Sequence, residues 1–231
     1  MTGVVTGLYR FPVKSLLGES LTRAEIDARG LAGDRAWAVT DVDGKLGSGK
    51  SSRRFRRMDG LLQLAATYDG DDTPVITFPD GTRVSATGPD LDERLSTHVG
   101  RPVRLRPEGE VSHFDDGPLH LVTTASLSAL AAVTGTAVTA ARTRANLLLD
   151  VAQTGFVEPA WIGRELAIGT CVLRVTAPMP RCVMVEMPQR DLPAAPGLLD
   201  ILERVNDLHL GVVAEVIATG TVQVGDPIVL R

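Results

Sequence analysis

Short apolar segments separated by turn residues run along most of this 231-residue chain. Alternating or β-branched stretches at 4–13, 35–42 and 171–176 predict strands, because a period of two places every second side chain on one face. The Asp43–Gly44 pair gives the clearest signal for a hairpin turn. Helical spacing is confined to a few segments: 88–95, an alanine-rich stretch that ends at Gly135, and 197–205.

Many short strands with few helices predict a mainly β fold with helical insertions, in the α+β class, built as an antiparallel β-barrel. Strands and helices do not alternate regularly, which argues against a doubly wound parallel sheet. A second half begins near residue 110. We therefore predict two domains, residues 1–108 and residues 109–231.

The amino-acid composition indicates which kinds of partner and which cellular compartment to expect. A hydrophobic content of 44% and a formal charge of -4 describe an ordinary globular protein and argue against general nucleic-acid binding. The sequence shows no signal-peptide pattern and no run of 18 apolar residues, so we expect a cytoplasmic protein without a membrane partner. In that compartment its two cysteines are expected to be reduced, and two are too few for the usual four-thiolate iron–sulfur cluster.

One of these cysteines, Cys182, has an unusual setting in Ala-Pro-Met-Pro-Arg-Cys-Val-Met, residues 177–184. We expect Pro178 and Pro180 to end regular strand pairing and to fix an extended loop. The adjacent Arg181 favours the thiolate, which can act as a nucleophile or as a soft metal ligand. The alternative is a buried structural thiol, the commonest fate of a free cysteine.

Residues 44–51, Gly-Lys-Leu-Gly-Ser-Gly-Lys-Ser, satisfy the written P-loop pattern for phosphate binding. A P-loop also requires an amphipathic helix after it, and Ser-Arg-Arg-Phe-Arg-Arg at 52–57 offers almost no apolar face. We therefore interpret the segment as a hairpin turn followed by a basic loop. Nucleotide binding through Lys50 is kept as the minor alternative.

Several other segments carry cations, hydroxyls or amides at strand ends, turns and a helix N-terminus. Taken singly, each residue could be solvated surface, a turn salt bridge or a helix cap. Taken together with Cys182, they predict a cationic, donor-rich pocket for a phosphate-bearing heterocycle. The candidates are Lys14, Arg35, Thr124, Ser126, Arg142, Arg144 and Asn146.

Five ordered motifs in the chain resemble the MOSC family, which includes the C-terminal domain of molybdenum cofactor sulfurase and the mitochondrial amidoxime reducing component. The motifs lie at 12–15 (Pro-Val-Lys-Ser), 29–35, 144–147, 161–169 and 180–184 (Pro-Arg-Cys-Val-Met), and the ending at 224–230 is also similar. The resemblance spans nearly the whole chain. It implies an N-terminal MOSC-associated β-barrel region over 1–108 and a MOSC domain over 109–231.

The resemblance also implies a cofactor, the molybdenum cofactor (molybdopterin), with Cys182 as a thiolate ligand to molybdenum. The residues it implies around the phosphate and pterin are Lys14, Arg35, Thr124, Ser126, Arg142, Arg144, Asn146 and Arg181. Two departures from the family pattern lie near the substrate side. The chain has Arg-Ala-Asn at 144–146 where the family often has Arg-Pro-Asn, and Val-Glu-Met-Pro at 185–188 in place of Thr-Thr-Val-Asp. Substrate identity is therefore the feature that transfers least.

The activity that the resemblance implies is that of an oxidoreductase, with a two-electron reduction of an N-hydroxylated or N-oxide-type small molecule. Because the chain has too few cysteines for a cluster of its own, we expect electrons from a separate protein, a reductase or a ferredoxin-like carrier. The alternative is a non-catalytic carrier that delivers the molybdenum cofactor or sulfur to other enzymes. Both functions need the same pocket.

Overall fold

The computed structural model describes residues 2–70 and 72–231. Its first half is built from short strands, one α-helix and a 3₁₀ helix at Leu61–Gln63. These elements are β1 Thr2–Arg10, β2 Glu19–Leu21, β3 Arg23–Asp27, β4 Gly30–Leu31, β5 Trp37–Asp41, β6 Leu46–Ser48, β7 Phe55–Arg57, β8 Ala65–Tyr68, β9 Pro74–Thr77, β10 Arg83–Ser85, α1 Leu91–Val99 and β11 Val103–Pro107.

The second half alternates longer strands with three α-helices and two further 3₁₀ helices, Glu158–Trp161 and Val183–Val185. The elements are β12 Leu119–Thr123, α2 Thr124–Thr134, α3 Ala140–Thr143, β13 Leu147–Val151, β14 Glu165–Ile168, β15 Cys171–Pro180, α4 Leu198–Asn206, β16 His209–Ala218, β17 Gly220–Gln223 and β18 Pro227–Leu230. No helix in the described ranges is long and apolar enough to cross a membrane.

Seven strands close into a barrel in the order β13-β12-β16-β15-β14-β18-β1, and β1 pairs back onto β13. Gly3 lies at this closure, opposite both Val151 and Ile228, where a Cβ atom would come within 2.3 Å of the Asp150 carbonyl oxygen. The prediction of a mainly β barrel with helical insertions is confirmed. One detail differs, because β12 and β13 run parallel. The crossover that a parallel pair requires is supplied by α2 and α3.

Apolar side chains from every barrel strand fill the interior, including Leu121, Leu149 and Leu173, each fully buried. A second apolar layer packs α2 and α4 against the outside of the barrel through leucines such as Leu130 and Leu202. These two layers fix β12, β15 and β16 rigidly, because close-packed interiors resist displacement. The ends of these strands are therefore stable supports for functional side chains.

Strand pairing does not follow the predicted boundary at residue 108. Strand β1 belongs to the barrel, and β3 pairs with β17 near the chain's end. The intervening strands β5 to β11 form two smaller sheets around a separate core that includes Val39, Leu64 and Leu95. The domain limits stay a prediction, while Val5, Leu8, Ala24, Ile26 and Leu31 of the first half contribute to the barrel core.

The expectation that Pro178 and Pro180 would end strand pairing is wrong. Strand β15 continues to Pro180, and these prolines lie opposite Val212 and His209 of β16. The register shifts between residues 175 and 177 and again between 178 and 180. Proline is tolerated where a bulge removes the need for its missing N–H, so the sheet bends here instead of stopping.

The P-loop-like segment forms a strand and a loop. Leu46 pairs with Thr40 in an antiparallel hairpin whose turn contains Gly44 at φ 74°, as the Asp-Gly pair predicts. The next element is the strand β7, whereas a P-loop is followed by a helix. The structural setting of a nucleotide-binding P-loop is therefore missing from this described segment.

Candidate functional site

A cavity opens at the edge of the barrel, between the end of β15, the loop after α3 and loops from the first half of the chain. Five of the side chains around it are cationic and two are carboxylic acids. The lining residues are Lys14, Ser15, Arg35, Lys50, Asp115, Asp116, Gly117, His120, Thr143, Arg144, Asn146, Met179, Pro180, Arg181, Cys182 and Met184. Of the sequence-predicted site residues, six lie here: Lys14, Arg35, Arg144, Asn146, Arg181 and Cys182.

Backbone strain is concentrated around this cavity. The described residues include five non-glycine positions with positive φ, and three of them line the cavity: Ser15 at 65°, Arg35 at 50° and Arg144 at 56°. A fourth, Leu208, accepts the backbone N–H of Arg181 at 2.7 Å. Left-handed conformations cost free energy for residues with a Cβ, and they persist where the surrounding structure holds a functional geometry.

Lys14 is a buried cation at the floor of the cavity, with only 2% of its surface exposed. Its ammonium pairs with Asp115 Oδ1 at 2.7 Å and lies 4.6 Å from the centre of the Phe55 ring. Burial lowers the pKa of Lys14 to about 8, although Asp115 opposes the shift and Arg35 and Arg144 add to it. The pocket therefore holds more positive charge than its own carboxylates compensate.

Arg35 and Arg144 lie side by side against one aromatic ring. Arg35 pairs with the fully buried Asp34 and donates to the Arg144 carbonyl at 3.2 Å. Arg144 donates to the Leu16 carbonyl, and both guanidiniums stack on Phe11 at 5.1 and 4.4 Å. The pKa of Arg144 is lowered to about 9, mainly by burial and to a lesser extent by the neighbouring charge of Arg35. An anion placed between these side chains would relieve their repulsion.

Arg181 is the cation next to the thiol. Its Nη2 donates to the Thr143 carbonyl at 2.7 Å, whereas its Nε is buried and has no hydrogen-bond partner within residues 2–70 and 72–231. Burial lowers the pKa of Arg181 to about 10. Cys182 follows, half-buried, and begins the 3₁₀ helix Val183–Val185. A buried unpaired donor is costly, so the site is prepared for an acceptor that the chain itself does not supply.

Two acids in this cavity went unnoticed in the sequence. Burial alone would raise the pKa of Asp115, but the ammonium of Lys14 holds it below its usual value. For Asp116, burial and the charge of Asp115 raise the pKa. Their Phe-Asp-Asp-Gly segment at 114–117 lies just before β12, and consecutive acids beside a glycine are the signal that could have marked it.

Asn146 holds the cavity wall through the barrel backbone. Its Oδ1 accepts the His120 N–H at 3.1 Å and its Nδ2 donates to the Tyr9 carbonyl at 3.2 Å. His120, which also lines the cavity, is buried, and burial lowers its pKa well below the usual value. Both side chains fix β12 and β13 beside the cations. The sequence contains no signal that distinguishes His120 from a core histidine.

Arg142 does not line the cavity. Its guanidinium donates to the Val185 carbonyl at 3.0 Å and to the Pro193 carbonyl at 2.7 Å, both in the segment that follows Cys182. It therefore holds this segment against α3 from behind. The Arg142 side chain is therefore placed to support the segment that follows Cys182, and it is not among the residues that line the cavity.

Thr124 and Ser126 also lie outside the cavity. The N-cap of α2 is Thr123, and the buried carboxylate of Glu158 accepts from the Thr123 N–H at 2.7 Å and from the Ser126 hydroxyl. The Thr124 hydroxyl donates to Asp150. A protein carboxylate thus occupies the helix N-terminus, where the sequence suggested a phosphate. Either anion, a carboxylate or a phosphate, is favourable at the positive end of the helix dipole of α2. The sequence pattern alone therefore does not distinguish the two.

The segment after Cys182 is also held by the first half of the chain. Arg190 donates to the Gln63 carbonyl at 2.9 Å and to the Thr77 carbonyl at 2.8 Å. Gly49 lies so close to Met184 and Met187 that a Cβ there would come within 2.7 Å of either side chain. Gly49 of the P-loop-like segment therefore permits close packing against the segment that follows Cys182.

The residues of this cavity fit an anionic cofactor that offers a soft metal. Buried cations with lowered pKa values and the unpaired Arg181 Nε suit a phosphate, which accepts several charge-assisted hydrogen bonds. Cys182 supplies the sulfur that a soft metal prefers. Together these groups can bind a phosphorylated ring and ligate its metal from one side.

Two family models match this chain. The family model described as the MOSC domain matches residues 99–229, and the model described as the MOSC N-terminal beta barrel domain matches residues 2–114. Mitochondrial amidoxime-reducing component 1 of Homo sapiens is 26% identical over 223 residues, which cover 79% of this chain and 65% of that protein. The chain therefore spans less than two thirds of that relative's length.

Among solved structures, the YUAD protein of Bacillus subtilis has the same fold. It aligns with 99% of this chain and 94% of its own, with a TM-score of 0.56 and 15% identity. YiiM of Geobacillus stearothermophilus aligns over 49% of this chain and 54% of its own, with a TM-score of 0.40 and 20% identity.

Proposed function

The chain belongs to the MOSC family, and from this premise we propose that it binds the molybdenum cofactor in the cationic cavity, with Cys182 as a thiolate ligand. The observation that carries the proposal is the juxtaposition of this half-buried thiol with buried cations that lack sufficient counter-charge. A structural thiol would not require such an environment, since burying cations is costly.

Each group around the cavity has a separate part in the proposed binding. Lys14, Arg35 and Arg144 would hold the phosphate, and the free Nε of Arg181 would donate to an acceptor of the ligand. Asn146 would keep the cavity wall in place for the cofactor through its two backbone contacts. When bound, the cofactor supplies two-electron oxygen-transfer chemistry, and the chain's own groups supply position, charge and protons.

We propose further that the protein reduces N-hydroxylated or N-oxide-type small molecules. Such a substrate takes up two electrons and two protons and releases water. The raised pKa of Asp116 lets its carboxyl group hold a proton at the cavity wall under conditions where an ordinary aspartate is ionised. The name of the human relative, an amidoxime-reducing component, supports this class of substrate, although the name describes that protein.

The second candidate is a carrier that delivers the cofactor, or a sulfur atom bound to Cys182, to other enzymes. Partial exposure of Cys182 in an open cavity favours it, because a transfer partner must reach the thiol. Turnover separates the two candidates. Reduction of benzamidoxime with dithionite-reduced methyl viologen supports the enzyme, whereas retained cofactor without turnover supports the carrier.

Metal content tests the ligand assignment. The wild type, Cys182→Ala and Cys171→Ala are expressed with molybdate, and molybdenum and pterin are measured in each purified protein. Cys171 is the matched control, since it is buried in the barrel core and its Sγ contacts only the Ile168 carbonyl among the hydrogen bonds of the described chain. We expect Cys182→Ala alone to lose most of the molybdenum. Equal molybdenum in all three proteins would refute the assignment.

A further inference from the structure

The densest group of cations in this acidic chain lies beside the cavity. Six of the 24 Lys and Arg residues fall within residues 45–57, which we name the basic loop. These cations are Lys45, Lys50, Arg53, Arg54, Arg56 and Arg57. Neither the proposed cofactor site nor a P-loop accounts for most of them, so the basic loop needs an explanation of its own.

Only part of this charge is neutralised by neighbouring acids in the described structure. Arg56 pairs with Asp41 at 2.7 Å and with Asp43 at 2.9 Å, and Arg57 pairs with Asp59 at 2.9 Å. The Arg56–Asp43 and Arg57–Asp59 pairs involve exposed carboxylates and stabilise the fold weakly. They account for two of the six cations.

The other four cations form no ion pair within residues 2–70 and 72–231. Lys45 and Arg54 donate to backbone carbonyls, Lys45 to Ser52 and Arg54 to Ser112 and Phe114, so their charges remain uncompensated. Among the described residues, no carboxylate lies within ion-pair distance of Lys50 or Arg53, and Arg53 is exposed. The loop therefore presents a positive surface on a protein with a net charge of -4.

The basic loop is physically continuous with the proposed metal site. Lys50 lines the cavity that Cys182 also lines. Just before it, the Ser48 hydroxyl contacts the Met184 sulfur at 3.8 Å, two residues after that cysteine. Anything that docks on the basic loop is thus brought to the rim of the cavity.

We propose that the basic loop is the docking surface for an acidic electron-transfer protein. The proposal rests on the proposed reductase function, in which electrons must enter close to Cys182. Two one-electron carriers would deliver two electrons in turn, and the substrate would take these with two protons and release water. A positive rim raises the encounter rate of an acidic partner through long-range attraction, even in a protein whose overall charge is negative.

Binding and turnover are measured with a plant-type [2Fe–2S] ferredoxin, an acidic protein of this class, as the probe. The variant is Lys45→Glu/Arg53→Glu, because both side chains lie outside the cavity lining and the exposed Arg53 has no ion pair or side-chain hydrogen bond within residues 2–70 and 72–231. The matched control is Arg23→Glu/Arg164→Glu, an equal charge reversal at exposed positions of β3 and the segment before β14. Ferredoxin binding is followed by calorimetry, and benzamidoxime reduction is compared with ferredoxin and with methyl viologen as donor.

We expect the loop variant to weaken ferredoxin binding and ferredoxin-driven turnover about tenfold at low ionic strength, with unchanged viologen-driven turnover. Added salt should reduce the difference, since exposed charges are screened. The control variant should behave as the wild type. If no donor supports turnover in the wild type, the reductase function is refuted. If ferredoxin binding is still weaker in the loop variant, the basic loop remains supported as a docking surface for an acidic protein.

Three results would overturn the docking proposal. The first is wild-type protein that does not bind ferredoxin at low salt. The second is an equal loss of binding in the loop and control variants, which would reflect net charge alone. The third is tighter binding of a single-stranded oligonucleotide than of ferredoxin at the same salt concentration, which would assign the basic loop to nucleic acid. Thermal unfolding of the loop variant and of the neutral variant Lys45→Gln/Arg53→Gln tests whether substitutions in the basic loop leave the fold intact.

Discussion

Replacing Lys14 with methionine should stabilise the protein without its cofactor while destroying the proposed phosphate site. Lys14 is 2% exposed and pairs with Asp115, so the usual expectation is that its removal destabilises the fold. The lowered pKa indicates the opposite, because the folded environment disfavours the ammonium even with Asp115 in place. Methionine has a similar shape and no charge to bury.

The magnitude follows from the same pKa. A fall from 10.5 to about 8 corresponds to about 3 kcal/mol of preference for the neutral amine in the folded protein. Loss of the cation–π contact with the Phe55 ring, at 4.6 Å, removes about 1 kcal/mol of stabilisation. The net gain in unfolding free energy for Lys14→Met is therefore about 2 kcal/mol at pH 7, or roughly 6 °C in Tm for a chain of this length.

The stability difference between Lys14→Met and the wild type should depend on pH. At pH 7 the amine is protonated in both the folded and unfolded states, so the full cost of the buried charge is present. As pH rises from about 8 towards 10.5, the folded protein releases this proton before the unfolded chain does, and wild-type stability increases. The advantage of Lys14→Met should therefore shrink across this interval and vanish above it.

Urea unfolding of both proteins, without cofactor and at several pH values from 7 to 10.5, measures this difference directly. The control is Asp115→Asn, which leaves the ammonium buried without its partner and should destabilise the protein at pH 7. If Lys14→Met is less stable than the wild type at pH 7, or if its advantage grows with pH, the assignment of Lys14 as a buried cation that Asp115 compensates only in part is refuted.

Two further variants separate support of the site from contact with the cofactor. Arg142→Met removes two hydrogen bonds to the carbonyls of Val185 and Pro193 and should cost about 2 kcal/mol of unfolding free energy. It should also lower molybdenum content, whereas an unchanged content would show that the segment after Cys182 needs no such support. Ser126→Ala leaves the Glu158 carboxylate with one donor fewer and should cost about 1 kcal/mol, with pterin content unchanged; a loss of pterin would return Ser126 to the cofactor site.

Much of the barrel could be predicted from the sequence, because period-two patterns and turn residues are local signals. The strand at 147–151 has the predicted limits, and the alanine-rich helix ends before Gly135 as predicted, although its N-cap is Thr123 and not Thr124 or Ser126. The extension of β15 through Pro178 and Pro180 could not be predicted, since it depends on bulges that only the partner strand β16 stabilises. The contribution of β1 to the barrel depends likewise on pairing with distant strands.

For the site, the sequence pattern predicts most of the cations around the cavity, but it does not predict which side chains face the cavity. Arg142 and Arg144 are two residues apart, yet the left-handed backbone at Arg144 turns the chain so that only Arg144 faces the cavity. No local rule forecasts a positive φ at an arginine, because it is unfavourable unless tertiary contacts maintain it. Asp115 was missed for the same reason, since its importance comes from a lysine about a hundred positions earlier.

These features point to one physical cause. Three left-handed residues, an unpaired guanidinium nitrogen and buried cations with lowered pKa values, among them Lys14 and Arg144, raise the free energy of the folded chain, and they lie around a single cavity. The same features would become favourable contacts once an anion with several acceptors occupied the cavity. Binding energy is therefore available from relief of strain and repulsion as well as from new hydrogen bonds. A ligand at such a site would bind more tightly because the protein without it is destabilised. Removal of one buried cation should therefore strengthen the fold and weaken the proposed binding together.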